Sequence, residues 1–463
     1  MNDNPRMMDM HRISTFFLAV AAMFGLSAEA AAASPRDGWV VAEVYDYNHP
    51  FAAAASNELA TKMATMSLNP YSFYRGTDHI FFRDMQTRPA SLYATSQTGY
   101  TWIGGDVHLG NFDASRDSSG KAVFKVSDFD EGYLGQYVWD LRRLAASMVL
   151  AGRENGLADS DIRVAIDTLV GAYADKMTGF KGSSAELSFQ LDLSNTTGAV
   201  DDTIVKADGK TRSGLLSKYT QLSGSARIFQ TLSNLVPVPA AMYSNISGAM
   251  SAYVNSIAPS KRYAASYYSV KDIRQKLGSG VGSLGRLRYY VLVQGASSST
   301  SDDVILEMKQ ETTSVVALVN NGQLPAWAYD YSEGGRVAKT AKAQQINADV
   351  LTGYTAVAGK PYYVHEKSPY QEDFEYTLLS TAGKLNTAAA YLGHALASAH
   401  AISDQDYDAT IVTYSIDKQV SDAITSKSGL KIEIANFAFD YAAQVQLDWQ
   451  AFVMAYNNGT PLY

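Results

Sequence analysis

GGDVHLGNFDASRDSSGKAVFKVSDFDEG, residues 104–132, packs five aspartates, a glutamate, a histidine and an asparagine into a stretch punctuated like strand, turn and strand. Asp106, Asn111 and Asp128 supply two carboxylates and an amide oxygen. These are hard oxygen donors of the kind that magnesium on a phosphate donor prefers over nitrogen or sulfur. In phosphoryl transfer one such aspartate orients the attacking hydroxyl and takes its proton, while the asparagine and a second aspartate hold metal. The competing explanation is that Asp and Asn populate turns because their side chains bond local backbone. That accounts for any one of these residues more easily than for the set.

Working outward, residues 101–128 read as two strands around a loop, with TWIGG before it and KAVFKVSDF after it. VWDLRRLAASMVLAGREN then has the spacing of an amphipathic helix, and a second helix fits 159–177. Upstream, HPFAAAASNELATKMATM has helical spacing and stops before Asn69-Pro70. Residues 181–260 are rich in Ser, Thr, Gly and Asn with weak periodicity, which predicts loops and short helices. From about residue 268 the pattern changes: SVKDIRQKL, RLRYYVLVQG, DDVILEMKQ and PYYVHEKSP are strand-like, with one helix expected over 336–353. The tail returns to helices in TAAAYLGHALASAHAI and in the long run that begins IEIANFAF.

Composition limits the function classes. With 463 residues, 46% hydrophobic and 18% charged, the chain can bury one large core or two medium ones. A formal charge of −8 disfavours a nucleic-acid partner. The absence of cysteine excludes disulfides, thiolate metal sites and cysteine nucleophiles. Arg6 and Arg12, the apolar run TFFLAVAAMFGLSA and Ala28-Glu29-Ala30 read as an export signal over 1–33, with Met10 an alternative start. That predicts a periplasmic or secreted protein with no transmembrane segment once the leader is removed. Neither GxSxG nor HExxH occurs, which removes the commonest serine hydrolase and zinc protease signatures.

Gly280-Val-Gly282-Ser283-Leu-Gly285 is a GxGxxG pattern. Alone it is weak, since 34 glycines yield about 0.2 such matches per chain by chance. Its context is more informative. A dinucleotide loop runs from strand into helix, whereas this one runs into the strand-like RLRYYVLV, as a glycine flap over phosphates does. Lys309 lies on the next strand-like segment, where an ammonium would reach donor phosphates or simply face solvent. A carboxylate partner for it is expected, and Asp349 is the choice over the adjacent Glu311. Arg75 in FYRGT is suited either to clamp an anionic substrate group or to a structural ion pair. Asp140, with Arg142 and Arg143, is expected to brace the loop, and His400 to pack or cap its helix.

GDVHLGN followed by SDFDEG and WDLRRLAAS resembles the catalytic segment of aminoglycoside phosphotransferase-type kinases. The ordered set PYSFYRGT, GDVHLGNF, SDFDEG, WDLRRLAAS, GVGSLGRLRYYVL, LEMKQE and LASAHA, over roughly residues 65–450, resembles the bacterial family catalogued as domain of unknown function 2252. The kinase resemblance implies Asp106 as catalytic base with His108 beside it, and Asn111, Asp128 and Asp130 as magnesium ligands. It also implies Gly280, Gly282, Ser283 and Gly285 as nucleotide flap and Lys309 as phosphate ligand. Ordinary kinases place flap and lysine before the catalytic loop; here they follow it, and LASAHA resembles the helix that precedes that loop. The expected fold is therefore α+β, two-lobed and kinase-like, circularly permuted. Residues 34–265 and 373–463 would form a helical lobe and 266–372 a small antiparallel sheet lobe. The expected function is transfer of a phosphoryl or nucleotidyl group from a magnesium-bound, ATP-like nucleotide to an unidentified acceptor. The alternatives are an exported non-catalytic binding protein and a metal-dependent phosphoesterase using Asp106, Asp128 and Asp130.

Overall fold

Residues 34–278 and 280–463 are described by a computed structural model; the expected leader lies outside them. The fold is mixed α+β with antiparallel sheets. The strands, in chain order, are β1 Thr101–Ile103, β2 Phe112–Arg116, β3 Ala122–Val126, β4 Tyr133–Gly135, β5 Thr220–Ser223, β6 Ala226–Phe229, β7 Leu235–Pro237, β8 Val270–Lys276, β9 Arg288–Val293, β10 Val304–Gln310, β11 Gly353–Val357, β12 Lys360–Glu366 and β13 Gln371–Asp373.

Six of them form one sheet in the order β11-β12-β10-β9-β8-β7, each pair antiparallel. Side chains alternate across a sheet, so each strand serves two environments. Val291, Val293, Leu306 and Met308 pack against Ile246, Met250 and Tyr253 of the helix Ala240–Ser256. The opposite parity carries Tyr290, Leu292 and Ile305, covered by Leu216, Tyr219 and Phe229. Arg288, Glu307 and Lys309 share that second parity, which aims them away from the Ala240–Ser256 helix. β10 is consequently buried along its whole length despite its charges.

The larger core is helical. Tyr137–Glu154, Asp159–Phe180, Ala382–Ile402 and Lys427–Asn457 pack together, with the last two returning from the far end of the chain. Ala382–Ile402 and Asp159–Phe180 come very close at Gly393, where a Cβ would lie 2.4 Å from the Leu169 carbonyl oxygen. Arg36, on the helix Pro35–Asn48, bridges Asp84 and Asp448 and so ties the first helix to the last.

Several expectations are corrected here. The helix expected over 336–353 is Glu333–Ala343, and Asn347, with φ of 51°, belongs to the turn that leads into β11. Segment 181–260 holds a 17-residue helix, Ala240–Ser256, besides shorter helices and the β5–β6 hairpin. The sheet begins at β7, upstream of residue 266. No described helix is long and apolar enough to cross a membrane.

Candidate functional site

β1 and β4 pair with Ile103 opposite Tyr133, so the chain leaves for residues 104–132 and returns on adjacent strands. The β2–β3 hairpin sits inside that excursion, and Phe112 opposite Val126 brings residues 111 and 127 together. Ser127 N–H donates to the Asn111 carbonyl at 2.9 Å. Asp106, Asn111 and Asp128 converge for this reason.

The loop is fastened from below. Gly104 and Gly105 donate their N–H groups to the two carboxylate oxygens of Asp140 at 2.8 and 3.0 Å. Gly105 has φ of +78°, and a Cβ there would lie 2.4 Å from the Glu131 carbonyl oxygen. His400 Nε2 lies 3.1 Å from Asp140, and its Nδ1 lies 2.9 Å from the Tyr173 hydroxyl. All of Asp140 and His400 is buried. The helix bearing LASAHA thus supports the loop through a buried chain of polar groups.

Asp106 presents one oxygen to Arg143, whose Nε donates at 2.6 Å. Its other oxygen lies 3.7 Å from His108 Nε2. Burial pushes the Asp106 carboxyl well above its usual range, with Arg143 opposing. Burial, with Arg75 and Arg143 nearby, holds His108 well below its usual value and therefore neutral. His108 Nδ1 accepts from Gly110 N–H at 3.0 Å, which leaves the proton on Nε2, toward Asp106. Asn111 donates through Nδ2 to the Asp106 carbonyl at 2.7 Å, so its amide oxygen remains for another partner.

Lys309 reaches across 181 positions to Asp128 at 3.1 Å and also pairs with Asp130. Asp130 additionally takes Arg286 at 3.3 Å and Ser283 Oγ at 3.4 Å. Lys309 and Arg286 draw the buried Asp130 carboxyl below its usual range. The segment Gly280–Ser283 closes the other side, with a Gly282 Cβ position 3.3 Å from the Arg75 carbonyl oxygen and 4.0 Å from Asp106 Oδ2. It contains a short turn, Val281–Ser283, and continues into β9. These residues line one narrow cleft.

A family model described as an uncharacterized protein conserved in bacteria, DUF2252, matches residues 55–455. The chain belongs to this family. No curated protein and no solved structure matches it.

The cleft of this family member gathers Asp106, His108, Asn111, Asp128, Asp130, Gly280, Gly282, Ser283 and Arg75 in its lining, with Lys309 paired to two of them. Gly285 lies further out, where a Cβ would meet Leu59 at 2.6 Å. Asp349 is elsewhere: it accepts from Leu351 N–H and Glu366 N–H, so Asp128 and Asp130 take the partner role expected of it. No carboxylate pairs with Arg75 among the described residues; its guanidinium lies 5.7 Å from the Tyr71 ring centroid, and its buried Nε has no partner.

Sequence reasoning missed Asp78, Glu131, Arg286 and Arg336. Asp78, Glu131 and Arg286 line the cleft. Arg336, on the helix Glu333–Ala343, donates to the carbonyls of Asp130, Gly132 and Thr312 and so holds the 130–132 segment against the sheet. Arg286 directly follows the glycine pattern, and that adjacency was the available signal. Asp78 stands in a stretch with no recognisable spacing, and Arg336 opens the expected helix, where nothing in the spacing distinguishes it from a surface arginine.

The kinase resemblance implies magnesium, and the donors present bear on it. Asn111 Oδ1 and Asp128 offer hard oxygen ligands at the cleft wall, which fit a divalent cation bound with a phosphate chain. Among the described residues no group of three His, Asp or Glu is placed to hold a metal by itself. Phosphate oxygens and water would complete such a shell, as magnesium commonly requires.

Proposed function

We propose that this protein transfers a phosphoryl or nucleotidyl group from a magnesium-bound nucleotide to an acceptor hydroxyl. The observation that carries the reading is the meeting of Lys309 with Asp128 and Asp130 in one cleft, roofed by Gly280–Ser283 and floored by Asp106, His108 and Asn111. The sheet adds support. Its glycine segment joins β8 to β9, its lysine lies on the next strand, β10, and a helix follows before β11, the sequence of parts found in protein kinases. A two-lobed, circularly permuted kinase-like fold is part of this proposal, because the sheet follows the catalytic loop in the chain while Ala382–Ile402 supports that loop. One departure is clear: no glutamate from Glu333–Ala343 reaches Lys309, and Glu333 pairs with Arg336 instead.

The roles follow from the geometry. Asp106, locked through one oxygen by Arg143, turns the other toward the acceptor and takes its proton; burial raises its basicity to suit that task. His108, neutral and with its proton on Nε2, orients that free oxygen. Lys309 and Arg286 neutralise charge in the cleft, and Asn111 and Asp128 would hold the magnesium, which would offset charge on the transferring group. Asp130 is occupied by Lys309, Arg286 and Ser283, which weakens the phosphoesterase alternative that needs it as a free metal ligand. Export to the periplasm or beyond remains part of the proposal, and N-terminal sequencing of envelope-fraction protein tests it: a mature start between Ala31 and Ser34 is expected.

The primary test is a thermal-shift titration of the full chain with nucleoside triphosphates, with and without magnesium. A ligand at 100 times its Kd should stabilise by about 2.7 kcal/mol. Asp106→Asn should abolish transfer and leave nucleotide binding in place, whereas Lys309→Met should weaken binding. Binding without transfer in the wild type would favour the non-catalytic binding protein, and no stabilisation by any nucleotide would remove the reading.

A further inference from the structure

A second, larger hollow, open to solvent, lies beside the first cleft. Gly278 lines this hollow and Gly280 the other, so the two flank one glycine segment. Five cations, Lys210, Lys218, Lys276, Arg288 and Lys367, face it against two carboxylates, Glu372 and Asp373. Lys210 is paired with Glu372, and Arg288 with Glu307. The other three lysines have no carboxylate partner among the described residues. Lys276 donates to the Leu277 and Gly278 carbonyls, Lys367 to the Gln371 amide oxygen, and Lys218 lies 5.1 Å from the Tyr219 ring centroid. Burial and then Arg288 hold Lys276 below its usual value, as expected where cations crowd one another.

An excess of unpaired lysines in a concavity is unexpected on a chain whose net charge is −8. A concave wall with an excess of one sign, here five cations against Glu372 and Asp373, focuses the field and draws in ligands of the other. The carbonyl, amide and ring contacts of these lysines pair none of them directly with a carboxylate. Tyr219 and Tyr290, edge to face with centroids 5.4 Å apart, border the same space. We propose that this hollow is a binding site for a phosphate chain, held by Lys218, Lys276 and Lys367. The site stands on its own charge and lining and does not depend on the transferase reading.

Isothermal titration of the full chain with sodium tripolyphosphate at low ionic strength tests it. Binding is expected, weakening as salt is raised. The Lys276→Gln/Lys367→Gln double variant should lose about tenfold or more in affinity, a change of about 1.4 kcal/mol. Lys309→Met removes the first cleft's share of the binding, so the tripolyphosphate binding that persists in it should still weaken when Lys276→Gln/Lys367→Gln is added. Since Lys218 is exposed, Lys218→Gln provides a variant whose folding is not in question, and it should weaken binding in the same direction. Adding a nucleoside triphosphate identifies the source of the phosphate chain: competition assigns it to the nucleotide, and simultaneous binding assigns it to a second phosphate-bearing compound. The proposal is overturned by no binding at millimolar tripolyphosphate, by equal binding of sulfate at matched ionic strength, by wild-type affinity in both lysine variants, or by complete loss of binding in Lys309→Met.

Discussion

The two loops that meet across the first cleft are held in opposite ways. The 104–111 loop is fastened by groups inside the core: Asp140 on Gly104 and Gly105, Arg143 on Asp106, and Ser147 Oγ accepting from Leu109 N–H at 3.1 Å. Gly278 and residues 280–285 lean largely on a separate element, the helix Ala52–Ser67. Glu58 accepts from Gly278 N–H at 3.1 Å, Leu59 fills the space beside Gly285, and Lys62 donates to the Gly282 carbonyl at 3.3 Å. Opening the first loop would expose a buried chain of polar groups and so approaches global unfolding; opening the second breaks the Glu58 and Lys62 bonds and the Ser283–Asp130 contact and uncovers Val281, a smaller set. A fixed floor under a releasable roof suits a cleft that must admit a ligand and then exclude water.

The largest effect is expected at Asp140. Asp140→Ala leaves Gly104 N–H, Gly105 N–H and His400 Nε2 without their acceptor in a buried site. Each orphaned group costs about 1–3 kcal/mol, so urea denaturation should show a loss of at least about 3 kcal/mol. A loss under about 1 kcal/mol would mean that the floor is held by backbone packing and not by this carboxylate.

Lys62 is expected to move two readouts in opposite directions. Its ammonium is buried, makes no ion pair with a carboxylate among the described residues, and has its pKa brought down to about 8, chiefly by burial. Since the folded-state value lies below the usual 10.5, the charged form is penalised in the folded protein. The penalty is complete below pH 8 and fades as pH rises from 8 to 10.5. Its size is about 3 kcal/mol at 1.36 kcal/mol per pH unit. Lys62→Met should therefore raise global stability at pH 7 by about 1–3 kcal/mol, with the gain shrinking toward pH 10.5. Amide exchange at 280–285 should nevertheless quicken, because the Gly282 carbonyl has lost its donor. A variant that is destabilised at pH 7 would show that the lysine is compensated in a way the geometry does not reveal.

The floor was far more legible in the sequence than the roof's attachments. Asp106, Asn111 and Asp128 announce themselves by clustering, and the alternation of LEMK places Glu307 and Lys309 on one face of a strand. The partner of Lys309 was misassigned because ion pairs are made in space: Asp128 and Asp130 lie 181 and 179 positions away, while Asp349 was merely nearer in sequence. The 240–256 helix escaped notice because Ser, Asn and Gly interrupt its apolar spacing, and its helicity is stabilised by packing on β11 and the sheet. Lys62 resembles any helix-surface lysine until Tyr47 and the glycine segment bury it.

The smallest effect is expected at Glu58, and it tests the roof alone. Glu58 is half-buried, and its bond to Gly278 N–H is partly open to solvent, so its net contribution to global stability is small. Glu58→Gln keeps an acceptor oxygen in place and removes only the charge. The urea midpoint should shift by no more than about 0.5 kcal/mol. Local opening should respond more strongly, because Gly278 is one of the few points where the segment is tied down. Hydrogen exchange at 278–285 should rise in Glu58→Gln and further in Glu58→Ala, while residues 104–111 exchange as before. Equal acceleration in both loops would mean that they open together, and unchanged exchange in 278–285 would mean that β8 and β9 hold the roof without help from the Ala52–Ser67 helix.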